Sequence, residues 1–361
     1  MLETVIDTSA VARNVAAIKA SLSPGTQLMC VVKADAYGHG VRELVPVMEA
    51  AGADALGVAT LAEARAVKES GRTSLPVLAW IWSPEEELTP GIDLAVSSLA
   101  QAKAVSRTGF PIRVYIKVET GMHRAGLDRE EWPEVFGLLR DAPNVAVLGI
   151  MSHLACADEP GNPHNDVQAR EFAAAVESAR AAGLNCAINH LANTAATLTR
   201  PDLHFQMVRV GLGCYGLEPI EGLEHGLEPA MTWRSRVVAV KPLKAGEGTS
   251  YGLTHCAAAD GFVANVPVGY ADGLPRGVQG ALKVGIGGKL YEQVGRVCMD
   301  QIVVDLGTNP HAVRAFDTAV IFGKGGMSAT ELANVSGTIN YEIVCRPTGR
   351  TQRKYIGDSR A

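Results

Sequence analysis

Eight short apolar runs, each breaking off into loop or helix chemistry, fill the first two-thirds of the chain. They are LMCVVK (28–33), ALGVA (55–59), LPVLAWI (75–81), DLAVSS (93–98), RVYIKVE (113–119), VLGIMSH (147–153), CAINH (186–190) and FQMVRV (205–210). Runs of this length and β-branched content suit strands buried on both faces. Between several of them lie amphipathic stretches such as RELVPVMEAAG, LAEARAVKESG, DREEWPEVFGLLRDA and DVQAREFAAAVESARAAG. Their apolar positions repeat near three and four, the period of a helix. Eight β/α alternations over about 200 residues match an α/β fold, the (β/α)8 TIM-type barrel. A doubly wound open sheet is the structural alternative, although no GxGxxG follows the first strand.

From about Met231 the texture changes. SRVVAVKPL, GFVANVPVGYA, ALKVGIGGKLYEQVGRV and MDQIVVDLG are strands punctuated by glycine, with almost no helical period. They predict a C-terminal, mainly antiparallel β domain. Residues 1–230 are accordingly assigned to the barrel and 231–361 to the β domain. Near the end, Ser328-Ala-Thr-Glu331 is a helix N-cap signal.

The composition excludes several partner classes. A formal charge of −5 gives no reason to expect nucleic acid or an anionic membrane. No run of about 18 apolar residues is present to span a bilayer, and MLETVIDTSA lacks the basic and apolar regions of a signal peptide. The seven cysteines stand singly, without a CxxC pair, which argues against a zinc knuckle or a disulfide framework. A reducing cytoplasm is the expected home.

In a barrel the chemistry gathers where strands finish. The first run ends in Lys33, with Tyr37 following; the fifth carries Lys117 and leads through Glu119-Thr-Gly-Met-His-Arg124-Ala-Gly126. The sixth ends at His153, the seventh at His190 before Asn193-Thr194, and the eighth at Arg209 before Gly211 and Gly213. This set is rich in cations and hydroxyls and poor in carboxylates, unlike a metal site. It suits an anionic, hydrogen-bonding cofactor. Arg209-Val-Gly-Leu-Gly-Cys-Tyr-Gly216 has the glycines of a phosphate loop or, equally, of a plain strand-end turn. Thr194 opens a short helix, TAATLT, at the neighbouring strand end, where barrels place phosphate sites. A lysine facing a phosphate-anchored cofactor suggests a Schiff base. Asp35 and His39 are read as loop residues shaping the Lys33 turn, and no metal is expected.

VVKADAYGHG, IKVETGMHRAG, SHLACAD, NHLANTAAT, VRVGLGCYG, SYG, VGYADG, GRVCMDQ and NYEIVC together resemble the alanine racemase family, in order and across nearly the whole chain. The resemblance implies pyridoxal 5'-phosphate, an N-terminal barrel, a C-terminal β domain and a homodimer with shared active sites. It implies interconversion of L- and D-alanine by two bases, supplying D-alanine for peptidoglycan. Lys33 matches the lysine that bonds the cofactor and handles the α-proton of the D enantiomer. Tyr251 matches the base on the opposite face, contributed by the partner subunit. A phenol is mostly protonated at neutral pH, so that role needs cations nearby.

Further roles carry over residue by residue. Arg209 matches the arginine facing the pyridine nitrogen; a guanidinium keeps its proton, which disfavours transamination. His153 resembles the histidine that hydrogen-bonds this arginine. Arg124 matches the contact to the cofactor's phenolic oxygen and the substrate carboxylate, the latter also met by the Met299 backbone. Lys117 matches a lysine often carbamylated to hold that arginine. Phosphate contacts carry over to Tyr37, Thr194, Gly211, Leu212 and Tyr341. Tyr270 and Tyr341 resemble the pair that narrows the substrate entrance. After NYEIVC the chain departs from the family pattern and reads RPTGRTQRKYIG. The rival readings are a racemase of wider scope, a decarboxylase of related architecture, and a non-catalytic carrier of the same cofactor.

Overall fold

The computed structural model describes residues 1–357. Two compact units divide the chain. One holds Ala10–Ala36 and Gly40–Glu228; the other holds Met1–Ser9, Tyr37–His39 and the described residues that follow Glu228. Residues 1–9, assigned to the barrel from the sequence, therefore cluster with the β unit. Their strand, β1 (Glu3–Asp7), runs between one antiparallel and one parallel neighbour. Glu3 is buried there and is held below its usual range: burial opposes ionisation, but Lys354 and Arg234 outweigh it. An acid inside so short a strand gives little periodicity to read.

The barrel unit contains β2 (Gln27–Val31), β3 (Ala55–Thr60), β4 (Val77–Ile81), β5 (Asp93–Val96), β6 (Ile112–Lys117), β7 (Val145–Met151) and β8 (Met207–Val210). Among the described residues these seven form one parallel sheet in the order β7-β6-β5-β4-β3-β2-β8. The seventh run, 186–190, is not a regular strand. It still bridges the two sheet edges: Ile188 and His190 N–H donate to the carbonyls of Leu148 and Ile150, at 2.9 and 3.0 Å. On its other side Met207 N–H reaches the Asn189 carbonyl at 3.3 Å. The irregularity has a local cause. Asn189 inserts its side chain into the ladder, accepting from Ile150 N–H at 2.9 Å and donating to the Cys186 carbonyl at 3.1 Å. The backbone closes in on Gly149, where a Cβ would lie 1.9 Å from the Ile188 carbonyl oxygen.

The barrel interior is filled by one buried side chain from each strand: Met29, Ala55, Leu78, Ala95, Tyr115, Met151 and Met207. Small and large residues alternate partway round the ring, so the space closes without a pore.

The β unit adds β9 (Met231–Arg236), β10 (Ala239–Leu243), β11 (Gly248–Thr249), β12 (His255–Cys256), β13 (Gly261–Val266), β14 (Lys283–Ile286), β15 (Lys289–Val294), β16 (Ile302–Gly307), β17 (Thr318–Phe322) and β18 (Gln352–Ile356). Among the described residues nine strands pair in the order β10-β13-β16-β15-β14-β17-β9-β1-β18, antiparallel except for β1 with β18. The cap read at Ser328 forms: its hydroxyl accepts from Glu331 N–H at 3.0 Å, and the helix Ala329–Ser336 stops at left-handed Gly337. Among the described residues no helix is long and apolar enough to cross a membrane, and no three His, Cys, Asp or Glu side chains group as a metal ion needs.

Candidate active site

The Lys33 turn is built from an unusual backbone. Ala34, Asp35, Ala36 and Tyr37 have φ of 51°, 53°, 55° and 54°, a left-handed run of four residues with side chains. Each such residue costs roughly 1–2 kcal/mol, so neighbouring structure must hold the run in place. Val32 N–H donates to the Gly57 carbonyl at 2.8 Å, Ala36 N–H to the Val32 carbonyl at 2.9 Å, and Val41 N–H to the Asp35 carboxylate at 2.8 Å. Asp35 thus shapes the turn. Lys33 is half-buried, with Nζ 6.0 Å from the centre of the Trp80 ring.

Arg209, on β8, is 5% exposed and spends its guanidinium on the barrel's strand ends. Nη1 donates to His190 Nδ1 at 2.7 Å and to the His190 carbonyl at 2.8 Å. Nη2 donates to the carbonyls of Ser152 and Leu191 at 2.5 and 3.1 Å, and approaches His153 Nδ1 at 3.3 Å. The sequence reading named His153 as the arginine's partner; both rings contact it, and His190 stands nearer. Arg209 was legible as a strand-end cation, whereas His190 reads from sequence as one of two similar histidines. Burial pushes Arg209 down to about 10, still charged at neutral pH. Burial also pushes His153 down to about 3, helped by Arg209, Arg124, Lys117 and Lys33. His190 is driven well down by burial and by Arg209, and its ring lies edge-on to Tyr115 with centroids 4.6 Å apart. Both histidines are therefore neutral acceptors beside a permanent cation.

Lys117, at the end of β6, is pushed down to about 8, first by burial and then by Arg124 and Arg209. Glu119 works in the other direction, but its carboxylate is engaged by its own turn, accepting from Gly121 N–H and, at 2.7 Å, from Met122 N–H. Burial opposes its ionisation, yet the N–H donors of Gly121, His123 and Met122 hold it below the usual range. Lys33, Lys117, Arg124 and Arg209 thus act on one neighbourhood with little compensating negative charge. Such a field favours an anionic occupant.

Beside it lies a close backbone approach. Gly211 N–H donates to Thr194 Oγ1 at 3.1 Å, and Asn193 caps the helix Thr194–Thr199 by accepting from Ala196 N–H at 3.2 Å. Leu212 is buried, and at Gly213 a Cβ would come within 2.9 Å of Thr194. The cradle exists because side chains are missing from it. Glycine backbone, a hydroxyl and a cationic surround are the donor set that a phosphorylated cofactor requires, so the residues fit such a group.

The β unit carries the other sequence candidates. Tyr37 and Tyr341 lie with ring centroids 6.2 Å apart, tilted by 45°. Tyr251 is 70% exposed on a turn in which Ser250, Gly252 and Leu253 have positive φ. Ser250 ties this turn to the Met299 loop, its hydroxyl donating to the Arg296 carbonyl at 2.8 Å. Tyr270 and Ala271 N–H donate to the carbonyls of Cys298 and Met299, both at 3.1 Å. Arg350, in the segment RPTGRTQRKYIG to which the sequence reading gave no role, locks the same loops. It pairs in a fork with Asp272 at 2.9 and 3.0 Å and reaches Asp300 at 2.7 Å. Asp272 is 1% exposed, so this clamp is a residue pattern the sequence reading missed.

Comparison with known proteins agrees with this anatomy. Residues 6–219 match the family model "Alanine racemase, N-terminal domain", and residues 230–355 match "Alanine racemase, C-terminal domain". The chain is 56% identical to the alanine racemase of Corynebacterium efficiens, covering 100% of both chains, and 55% identical to that of Corynebacterium glutamicum, covering 99% of both. The crystal structure of the Corynebacterium glutamicum alanine racemase superposes with a TM-score of 0.90 at 52% identity, covering 99% of each chain. That of Streptomyces lavendulae gives 0.93 at 38% identity, over 99% of this chain and 97% of the other. With both of its units matched in order and nearly its full length aligned, the chain belongs to the alanine racemase family.

Proposed function

We propose that the protein interconverts L- and D-alanine with pyridoxal 5'-phosphate, in active sites shared by two copies of the chain. The observation that carries this reading is buried Arg209, a permanent cation facing two neutral histidines within a cluster of further cations. Lys33, Tyr37, Arg124, His153, Thr194, Arg209, Gly211, Leu212 and Tyr341 would hold the cofactor. When bound, its ring withdraws the electron pair left by the breaking α C–H bond. Arg209 would hold a hydrogen bond to the ring nitrogen without giving up its proton, which favours return of a proton to the α-carbon.

Racemisation requires a proton to leave one face and another to arrive on the opposite face. Lys33 is the base for the D enantiomer and Tyr251 of the partner subunit the base for the L enantiomer. The amine accepts a proton in its neutral form and the phenol as the phenolate. Arg124 and the Met299 backbone of the partner subunit would orient the substrate carboxylate, with Tyr270 and Tyr341 limiting the side chain to a small one. A lysine near pKa 8 has an uncharged fraction able to add carbon dioxide, and a carbamate at Lys117 would set a negative charge beside Arg124. The large exposure of Tyr251 (70%) and Met299 (52%) supports a partner that covers them. D-alanine made in the cytoplasm would supply peptidoglycan.

The test is incubation with L-alanine, D-alanine and the other common amino acids, followed by chiral chromatography. Equilibration of the two alanines with slower turnover of larger residues is expected. Equal turnover of bulky amino acids would replace the proposal with a racemase of wider scope, and carbon dioxide release without D-alanine with a decarboxylase.

A further inference from the structure

Glu63 stands at position N3 of the helix Leu61–Glu69 and looks like an ordinary capping residue: Thr60 Oγ1 accepts from its N–H at 3.2 Å. Its carboxylate does more than close that cap. Oε2 accepts from Ala59 N–H at 2.8 Å and Thr60 N–H at 3.0 Å, at the end of β3. Oε1 accepts from Ala34 N–H at 2.7 Å, at the first left-handed residue after Lys33. One carboxylate thus joins the C-terminal ends of two neighbouring barrel strands. It fixes the peptide unit that leaves the lysine, and it does so where four successive residues hold φ above 50°.

We propose that Glu63 is a positioning residue for Lys33, acting through the Ala34 N–H and separably from its role in capping the helix. The inference rests on the reading of Lys33 as the cofactor-bonding lysine. The chemistry of a single substitution separates the two roles. In Glu63→Gln one oxygen becomes an NH2 group. Two N–H donors claim an acceptor at β3 and one claims an acceptor at Ala34, so the amide oxygen turns to β3. The NH2 is then left against the Ala34 N–H, and the cap survives while the bond behind Lys33 is lost. Thr60→Ala does the reverse, weakening the cap and leaving the Ala34 bond intact.

The experiment uses the cofactor-loaded enzyme and three variants, Glu63→Gln, Glu63→Asp and Thr60→Ala. Three quantities are read: the pH titration of the visible band of the lysine-bound cofactor, the rate at which hydroxylamine strips that cofactor, and the melting temperature. Glu63→Gln is expected to shift the titration and to raise the stripping rate about tenfold, as a slightly misplaced reactive group would. Thr60→Ala should lower the melting temperature at least as far while leaving titration and stripping at wild-type values. Glu63→Asp, charged but one carbon shorter, should fall between. The inference is overturned if Glu63→Gln matches wild type in both spectroscopic readouts, or if Thr60→Ala moves them equally. A fourth protein, Lys33→Ala, tests the underlying assignment by itself: a retained visible band, with borohydride labelling another lysine, removes that assignment whatever the Glu63 variants do.

Discussion

The two units present their candidate residues in opposite ways. In the barrel unit Lys117, His153, Thr194 and Arg209 are buried or nearly so, with Thr194 and Arg209 oriented by backbone groups and His153 by Arg209. In the β unit Tyr251, Tyr270 and Met299 stand on exposed turns, held from behind by backbone bonds and by the Arg350 clamp. The barrel thus fixes its functional side chains, whereas the β unit fixes only the loops that carry them. Preorganisation in the first case comes from burial; in the second it waits for whatever covers the exposed rings.

Lys33→Ala should break the barrel half outright, with racemisation falling by about three orders of magnitude or more in a chiral assay. Tyr251→Phe tests the other half. Turnover should drop by about 10²–10⁴-fold while the cofactor's absorbance stays, because only a proton carrier is removed. Mixing the two inactive proteins under conditions of subunit exchange should restore activity if one site draws on both chains, and none would return if each chain supplies its own pair.

Arg350→Ala should have a smaller, mixed effect. Leaving the buried Asp272 carboxylate without its guanidinium should lower stability in urea unfolding. The loosened Tyr270 and Met299 loops should raise KM more than they lower kcat. Arg350→Lys should recover part of the stability and little of the KM, since a point charge does not reproduce the fork.

The smallest expected effect is a change in pH dependence. His153 titrates near 3 in the folded protein, far below a free imidazole, because of burial and then Arg209 and its neighbouring cations. Between about pH 6.5 and pH 3 the unfolded chain binds a proton that the folded chain refuses. Stability therefore falls as pH drops through that window, and His153→Gln should flatten the slope there in urea unfolding at several pH values. Lys117 has its window higher, between about 8 and 10.4. Its folded form is deprotonated first, so stability rises with pH across that interval, and Lys117→Met should remove the rise.

Much of the barrel was legible because a cation following a buried apolar run is conspicuous; Lys33, Lys117 and Arg209 all announce themselves in that way. The irregular seventh segment did not, since CAINH has strand composition and the displacement of its ladder depends on where the Asn189 amide lands. His190 could not be ranked against His153 without knowing which strand end faces Arg209. β1 was hidden by its buried acid, whose partners Arg234 and Lys354 lie more than two hundred residues away. Glu63 carried no signal in the sequence reading, and Arg350 sat in a segment to which that reading gave no role. In each case the missing information was tertiary.

The meeting of Gly149 with the 186–190 segment has a consequence for how this sequence can drift. A carbonyl oxygen 1.9 Å from where the first side-chain atom would go leaves no rotamer to search and no neighbour able to step aside, because the obstacle is main chain. In a saturation library even alanine should vanish at 149, while glycines with open space around them, such as Gly161 and Gly277, should fill with variants.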